Sequence, residues 1–337
     1  MFIPLTPLRF LHRAVDLYGN KAGIVSGDRT FTYREFGDRC RRLASGLECL
    51  GVQPGDRVAY LSFNNHQLLE GYFGVIQAKA VVMPLNVRLS PAELGAILCH
   101  SGARILIFEP DFAPIVEKLR SACPLLEHCV SVEGGYEELL AEGRPEPADI
   151  LAYDENAPAE LFYTSGSTGT PKGVLISNRT LYLHALDVLA DIPLDDTSVE
   201  LHTIPLFHAN GWGRPQIATL KGATQVMVRR FEPANVCRLI QEHRVTTLSM
   251  VPTMATALLN VPNLAQYDFS SLRLVMLGGA AASPLLIERL EKALGCRAIA
   301  GYGLSETAPI ITAGKSKCTV VPASVATACR RCCGSSR

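Results

Sequence analysis

The chain has 337 residues, of which 48% are hydrophobic and 19% are charged, and its formal net charge is zero. This length and composition favour about two folded domains with a sizeable core, and the zero charge gives no indication of nucleic-acid binding, which a strongly basic face would signal. No run approaches the roughly 18 apolar residues of a membrane span, and prolines and arginines interrupt the apolar N-terminus, unlike in a secretory signal, so we expect a cytoplasmic protein.

The N-terminal part of the chain alternates strand and helix patterns. Two short apolar strands, at 22–26 and 30–33, flank a Gly-Asp turn and predict a hairpin. Thr32 and Glu35 form a capping box that starts the first amphipathic helix of this region. Further strands are predicted at 57–62, 80–85, 104–108 and 129–132, with helices between them, one of them starting at Ser90-Pro91.

Residues 142–158 contain three prolines and five acidic residues and predict a linker or surface crossing. Alternation resumes beyond it, which implies βαβ units and largely parallel sheets. The predicted fold is α/β, with two packed subdomains at 1–150 and 151–313. Strands are predicted at 159–163 and 174–176 and near Val199, Val226, Thr247, Val275 and Ile299, and helices at 180–189, 236–243 and 284–294.

Residues from Tyr163 to Val174, YTSGSTGTPKGV, concentrate glycines, hydroxyl groups and one lysine between two predicted strands. The glycines permit backbone conformations closed to other residues, so N–H groups can turn inward as an anion-binding nest. Lys172 adds a compact positive charge suited to phosphate. The pattern is not a Walker A loop, because Lys172 precedes a glycine rather than following one. A flexible Ser/Gly surface loop is the alternative, but the flanking apolar strands favour a polyphosphate ligand.

The last 24 residues differ from the rest in composition. From Gly314 onward there are five basic residues and no acidic one, whereas residues 1–313 carry 27 basic and 32 acidic residues, a formal charge of −5. Four of the 11 cysteines also lie in this tail, without the four-ligand spacing of a zinc site. We predict that 314–337 is a disordered basic tail; a changed reading frame or alternative end is the other interpretation.

Several motifs in this order resemble those of the acyl-adenylate-forming enzymes, which include acyl-CoA synthetases, firefly luciferases and peptide-synthetase adenylation domains. SGSTGTPKG is similar to that family's phosphate loop, and GYGLSETAP, from Gly301, is similar to its Y-G-x-[ST]-E motif. LGGAAAS, from Leu277, resembles its adenine-flanking loop. PLFHANGW, from Pro205, and LNVRLSPAEL, from Leu85, resemble the fatty-acyl-CoA ligase branch. The resemblance covers about residues 1–313.

The resemblance implies a nucleotide site. Tyr302 would stack on adenine, and Glu306 would hold Mg²⁺ with Thr164 close to the metal and phosphates. Lys172 would neutralise charge as pyrophosphate leaves. The residues implied in nucleotide binding are Thr164, Ser165, Gly166, Ser167, Thr168, Gly169, Lys172, Gly279, Ala280, Ala281, Gly301, Tyr302, Gly303 and Ser305.

The resemblance also implies an acyl site. His208 would lie beside the substrate carboxylate, and Ala209 and Trp212 at the mouth of the acyl tunnel. If this segment is helical, His208 and Trp212 share a face. A packing histidine and a tryptophan core anchor are the alternatives. Lys172, His208 and Glu306 are thus the candidate catalytic residues.

The implied reaction joins a carboxylic acid to a thiol. The acid, a medium- or long-chain fatty acid or alternatively an aryl acid, attacks Mg·ATP to give acyl-adenylate, and CoA then displaces AMP. The family's later ribose-binding T-G-D motif and mobile C-terminal domain are not found here, so we expect a truncated ligase with weak or no turnover. The alternative is a non-catalytic binding or interaction protein that pairs with full-length relatives, and a homodimer is also open.

Overall fold

The computed structural model describes residues 3–164 and 171–314, in which strands and helices alternate and form two sheets flanked by helices, as predicted. The strands are β1 Ala22–Ser26, β2 Arg29–Thr32, β3 Arg57–Leu61, β4 Val81–Pro84, β5 Ile105–Phe108, β6 His128–Ser131, β7 Pro158–Thr164, β8 Lys172–Ser177, β9 Val199–His202, β10 Thr224–Met227, β11 Thr247–Met250, β12 Leu274–Leu277, β13 Arg297–Gly303 and β14 Ile310–Ala313. The helices are α1 Leu8–Tyr18, α2 Tyr33–Cys49, α3 His66–Gln77, α4 Pro91–Ser101, α5 Ala113–Ala122, α6 Gly135–Glu142, α7 Asn178–Asp191, α8 Ala209–Trp212, α9 Arg214–Lys221, α10 Pro233–Glu242, α11 Pro252–Leu259 and α12 Pro284–Leu294.

The smaller sheet has six strands in the order β6-β5-β3-β4-β7-β8. All neighbours are parallel except β7 and β8, which form the antiparallel pair that bounds the glycine-rich segment. Strands β3, β4 and β5 are almost entirely buried, as expected for parallel strands covered by helices on both faces.

The larger sheet has eight strands in the order β14-β13-β12-β11-β9-β10-β1-β2. Its six central strands are parallel, and the outer strands β2 and β14 pair antiparallel with their neighbours. The sheet therefore combines the N-terminal hairpin with the strands from residue 199 onward. Sheet membership does not change near residue 150, so the division into 1–150 and 151–313 stays a prediction.

The local signals read from the sequence are reproduced. Thr32 and Ser90 each accept from the backbone of a glutamate three residues later, whose side chain binds back to the cap. The hairpin of β1 and β2 forms with the expected antiparallel register. Helix α1 and strand β14 were not predicted. The predicted tail lies outside the described residues from 315 onward, and no helix among those described combines the length and apolar character needed to cross a bilayer.

Asn178, at the start of α7, ties the N-terminal segment to the second half of the chain. Its side chain is buried, and Oδ1 accepts a hydrogen bond from Thr6 Oγ1 at 2.9 Å while Nδ2 donates to the Ala157 carbonyl at 3.3 Å. Asn178 joins the residues before α1 to the β7–β8 hairpin and its helix.

Candidate functional site

Residues far apart in the chain line a cavity of about 310 Å³ at the carboxyl ends of strands from both sheets. We call it the Tyr302 cavity. Ligands in open α/β sheets bind at this end of the strands. The lining residues are Thr164, His208, Ala209, Trp212, Met276, Gly278, Gly279, Gly301, Tyr302, Gly303, Leu304, Ser305, Glu306, Pro309 and Ile310.

Ten of the residues singled out from the sequence line this one cavity. They come from four separate motifs. The fold therefore brings together residues that the sequence shows only as successive motifs along the chain. Ala280 and Ala281 are exposed and do not line it, and Lys172 is not among the lining residues either. Ser165 to Gly169 lie outside the described residues. The roles assigned to all these residues remain proposals.

Tyr302 lies near the end of β13, where β13 and β14 form a tight antiparallel pair. Tyr302 faces Thr312 in register, and the pairing is irregular between Tyr302 and Gly303. A Cβ on Gly303 would lie 1.7 Å from the carbonyl oxygen of Pro309, and one on Gly301 would lie 2.3 Å from Met276 Cε. The two glycines therefore allow Met276 and Pro309 to pack closely against the backbone on either side of Tyr302, whose side chain is exposed.

Thr164 is the last residue of β7 and Lys172 is the first residue of β8, the two strands that bound the glycine-rich segment. The two residues are paired in register. Cross-strand neighbours of this kind hold their Cβ atoms within about 5 Å. Thr164 lines the Tyr302 cavity, and the single helical turn that carries Glu306 packs against β8. A hydroxyl and a carboxylate thus share this cavity, and Lys172 is paired with the residue that carries the hydroxyl.

The oxygen donors here suit a magnesium–phosphate complex better than an all-protein metal cage. In the described part of the chain no three His, Cys, Asp or Glu side chains cluster as a metal site. Mg²⁺ commonly takes one or two carboxylates and completes its shell with phosphate oxygens and water. Glu306 and the Thr164 hydroxyl, which share the cavity, fit such a role.

The segment after His208, given above as α8, is a single left-handed turn rather than the ordinary right-handed helix that we considered. Five consecutive residues have positive φ, from Ala209 at 44° to Gly213 at 72°. Each non-glycine residue in this region costs roughly 1–2 kcal/mol, and such strain persists only where surrounding contacts fix it. The turn directs both Ala209 and Trp212 to the Tyr302 cavity.

A buried glutamate on β7 holds this turn in place. Glu160 is fully buried, and its carboxyl group accepts from Asn210 Nδ2 at 2.8 Å and from Gln216 Nε2 at 2.9 Å. Asn210, also fully buried, accepts in addition from the backbone N–H of Gly213. Strand β7 therefore connects the left-handed turn to the segment that begins at Thr164. Burial raises the pKa of Glu160 to about 8, because removing a carboxylate from water disfavours its charged form.

We expect Glu160→Gln to change how stability depends on pH. The folded-state pKa of about 8 exceeds the ordinary value of 4.5, so Glu160's contribution is complete below pH 4.5 and is lost as the pH rises towards 8. Relative to the glutamine variant, the wild-type free energy of unfolding should fall by on the order of 1 kcal/mol per pH unit in this window. Urea unfolding at several pH values measures the difference; parallel curves would contradict it, and the exposed Glu288→Gln is the control.

Trp212 and His208 separate the Tyr302 cavity from a second cavity of about 600 Å³, which we call the Phe207 cavity. The indole of Trp212 packs on Gly278, where a Cβ would lie 2.9 Å from Cη2. Gly278 thus makes room for the tryptophan, a role that the sequence did not suggest. His208 is accessible where the cavities meet, yet burial, with a smaller contribution from Arg88, lowers its pKa, which favours a neutral ring.

The Phe207 cavity is mainly apolar with a cationic rim. Its walls come from segments that follow β3, β4, β9, β10 and β11. The lining residues are Phe63, Asn64, Asn86, Val87, Arg88, Thr203, Ile204, Pro205, Phe207, His208, Trp212, Val228, Arg229, Arg230, Phe231, Val251, Thr253 and Met254. Apolar cavities with a few polar groups are typical of small-molecule sites.

Arg229 and Arg230 form a network that extends beyond the rim of the cavity. Arg229 Nε donates to the buried Glu109 at 2.8 Å, and both arginines bind Asp111. The guanidinium groups also lie over the ring of Phe63, 4.8 and 4.3 Å from its centroid. They join the rim of the Phe207 cavity to the end of β5 in the other sheet.

Comparison with known proteins assigns the chain to a family. The sequence model of the AMP-binding enzyme family matches residues 11–334, nearly the whole chain. The chain belongs to the AMP-binding enzyme family. The match extends past residue 313, where the motifs recognised in the sequence end.

Three relatives of this chain are CoA ligases or synthases with different acids in their names. Long-chain-fatty-acid–CoA ligase of Thermus thermophilus is 40% identical over 317 residues, which are 90% of this chain and 58% of the relative. Feruloyl-CoA synthase of an Amycolatopsis species is 38% identical over 285 residues, 84% of this chain and 56% of the relative. Peroxisomal butyrate–CoA ligase of Arabidopsis thaliana is 34% identical over 331 residues, 92% of this chain and 58% of the relative. The chain therefore spans less than three fifths of the length of these relatives.

Solved structures share the fold. An anthranilate CoA ligase in complex with anthranoyl-AMP has a TM-score of 0.89 at 24% identity, covering 96% of this chain and 63% of that protein. A putative long-chain-fatty-acid CoA ligase from Rhodopseudomonas palustris has a TM-score of 0.83 at 26% identity, covering 92% of this chain and 78% of that protein. The two-sheet architecture is thus that of acyl-CoA ligases.

Proposed function

We propose that this chain binds ATP and a carboxylic acid as part of an ATP-dependent acid–thiol ligase that forms acyl-AMP and transfers the acyl group to CoA. The observation that carries the proposal is that two neighbouring cavities share one wall, formed by His208 and Trp212. Tyr302, Thr164 and Glu306 line the first cavity, and mainly apolar side chains line the second. A carboxylate held at that wall lies between a nucleotide cavity and an acyl cavity.

The nucleotide occupies the Tyr302 cavity. Adenine stacks on Tyr302, and the triphosphate extends towards Thr164 and the glycine-rich segment. Lys172 lies at the end of that segment, where its charge stabilises the departing pyrophosphate. Glu306, with Thr164 nearby, would hold Mg²⁺, which would supply further charge neutralisation.

The acid occupies the Phe207 cavity with its carboxylate at His208. Since its lowered pKa favours a neutral ring, His208 can donate an N–H to the carboxylate without pairing with it as a cation. The carboxylate oxygen attacks the α-phosphorus of ATP, and pyrophosphate leaves. This chemistry depends on positioning and charge stabilisation rather than on a protein nucleophile.

The apolar lining favours a medium- or long-chain fatty acid, with an aryl acid as the alternative. The name of the Thermus thermophilus relative supports the former, and that of the Amycolatopsis relative supports the latter. A thermal-shift panel of alkyl and aryl carboxylates, with ATP and Mg²⁺ present, compares the two. The class that raises Tm most identifies the substrate class.

We expect Tyr302→Ala to weaken binding of ATP and AMP roughly 10- to 100-fold, because aromatic stacking on a base contributes about 1–3 kcal/mol. Tyr302→Phe keeps the ring and should bind within about twofold of the wild type. Isothermal titration with AMP, which needs no magnesium, measures both variants. Equal affinities for the alanine variant and the wild type would exclude Tyr302 as the base platform.

The reaction is tested by ATP-dependent hydroxamate formation from fatty acids, with pyrophosphate release followed in parallel. Product formation that is reduced in Glu306→Gln and retained in the exposed Glu288→Gln supports the ligase. Tight ATP binding without product, including after addition of the remaining part of a full-length relative in trans, supports a non-catalytic binding protein instead.

A further inference from the structure

Two cysteines outside both cavities face each other across a helix pair. Cys99 lies in the last turn of α4, and Cys123 directly follows α5. Their Sγ atoms are 2.8 Å apart, about 0.8 Å longer than a disulfide bond. A small movement of either side chain therefore brings the two sulfur atoms to bonding distance.

The surroundings give the two thiols different accessibilities. Cys99 is exposed, whereas Cys123 is buried in the apolar layer between α4, α5 and the six-stranded sheet. Burial raises the pKa of the Cys123 thiol. An outside reagent thus reaches Cys99 first, and Cys123 is placed to react with whatever forms there.

We propose that Cys99 and Cys123 form a redox-active pair that closes to an intramolecular disulfide by exchange with a small-molecule disulfide. The Cys99 thiolate attacks one sulfur of the reagent, forming a mixed disulfide and releasing one thiolate, which takes up a proton. Cys123 then loses its proton and attacks Cys99 Sγ, which releases the second thiol. Two protein thiols are oxidised, and one reagent disulfide is reduced to two thiols.

The bond would fasten α4 to α5 next to the glycine-rich segment. His100, the neighbour of Cys99, makes a 2.6 Å hydrogen bond through Nδ1 with the hydroxyl of Tyr163. Tyr163 immediately precedes Thr164, which lines the Tyr302 cavity. The disulfide therefore immobilises the end of α4 that contacts the base of this segment.

The test treats the full chain with oxidised glutathione, blocks remaining thiols with N-ethylmaleimide and maps the peptides by mass spectrometry. Trypsin releases Cys99 in residues 89–104 and Cys123 in residues 121–172, because it does not cut between Arg144 and Pro145. The second peptide also holds Cys129, so a further cut after Glu127 is needed to separate the two cysteines. A glutamate-specific protease makes this cut and also cuts after Glu93, so we expect 94–104 linked to 121–127, at the mass of the two peptides less two hydrogen atoms.

Closing a loop of this length should raise Tm by about 5–10 °C, and a dithiol reductant should reverse the rise. Cys99→Ser and Cys123→Ser should each abolish the link and the rise, whereas Cys49→Ser, at another exposed cysteine, should keep both. Reduced Tm values equal to that of the reduced wild type show that the variants fold. Separate alkylation of both cysteines after oxidation, or glutathione retained on Cys99 alone, would overturn the proposal.

Discussion

Arg214→Ala is expected to lower the free energy of unfolding by about 3–5 kcal/mol. Arg214 and Glu200 are both 1% exposed, and Arg214 Nε lies 2.9 Å from Glu200 Oε1 in a two-bond pair. Thr247 Oγ1 accepts a further bond from the same guanidinium group. Truncation would leave the Glu200 carboxylate buried between β9 and α9 without its counter-charge, which is costlier than losing the attraction alone.

Replacing both residues of the pair should cost less unfolding free energy than removing one of them. Among the described residues, Arg214 Nη1 has no hydrogen-bond partner, so the ion pair does not fully recover its desolvation cost. The double variant Glu200→Leu, Arg214→Met should therefore be much less destabilised than either single alanine variant. Urea unfolding measures all three. Arg238→Ala, which breaks an exposed pair with Glu242, serves as control and should cost less than about 1 kcal/mol.

The same pair also supports the site. Arg214 is the first residue of α9 and directly follows the left-handed turn that ends at Gly213. Weakening the start of α9 should therefore loosen Trp212 as well, and the alanine variant should bind a fatty acid less tightly wherever it remains folded. A loss of 1 kcal/mol or less in unfolding free energy, with acid binding unchanged, would show that the buried pair is dispensable.

The sequence predicts features whose cause is local. The capping box at Thr32, the helix start at Ser90-Pro91 and the hairpin of β1 and β2 depend on residues within a few positions of each other, and all form as expected. Alternating apolar strands and helices likewise indicated a parallel α/β fold. The motifs also singled out ten of the residues that line the Tyr302 cavity, because each motif supplies lining residues of its own.

Features that depend on distant partners were missed. The left-handed turn at Asn210 requires Glu160, fifty residues earlier, to hold it, so its spacing alone suggested an ordinary helix. Strand β14 is formed by pairing with β13 rather than by its own short pattern. The chain also contributes strands first to the larger sheet, then to the smaller one and then to the larger one again. This order depends on tertiary contacts, and for this reason no change of composition marks it.

The last prediction concerns Gly303, where the site and the fold depend on the same backbone contact. Gly303→Ala would place Cβ 1.7 Å from the carbonyl oxygen of Pro309 and 2.6 Å from its carbonyl carbon. Pro309 O accepts the hydrogen bond from the backbone N–H of Leu304 at 2.9 Å, so neither partner can move freely. The β13–β14 pair must therefore separate, at a cost of about 1–3 kcal/mol in stability.

Because Tyr302, Gly303 and Leu304 all line the Tyr302 cavity, that separation should also displace the tyrosine ring. We expect AMP affinity to fall at least about tenfold, the lower end of what stacking contributes, and to fall in protein that is still folded at the assay temperature. Gly95→Ala, inside α4, is the matched control. Its Cβ would contact only Leu119 Cδ2, at 3.7 Å. This variant should therefore gain about 0.5–1 kcal/mol of stability and keep its affinity for AMP. Isothermal titration and urea unfolding of both variants separate the two effects, and undiminished AMP binding by Gly303→Ala would mean that the nucleotide does not depend on this hairpin.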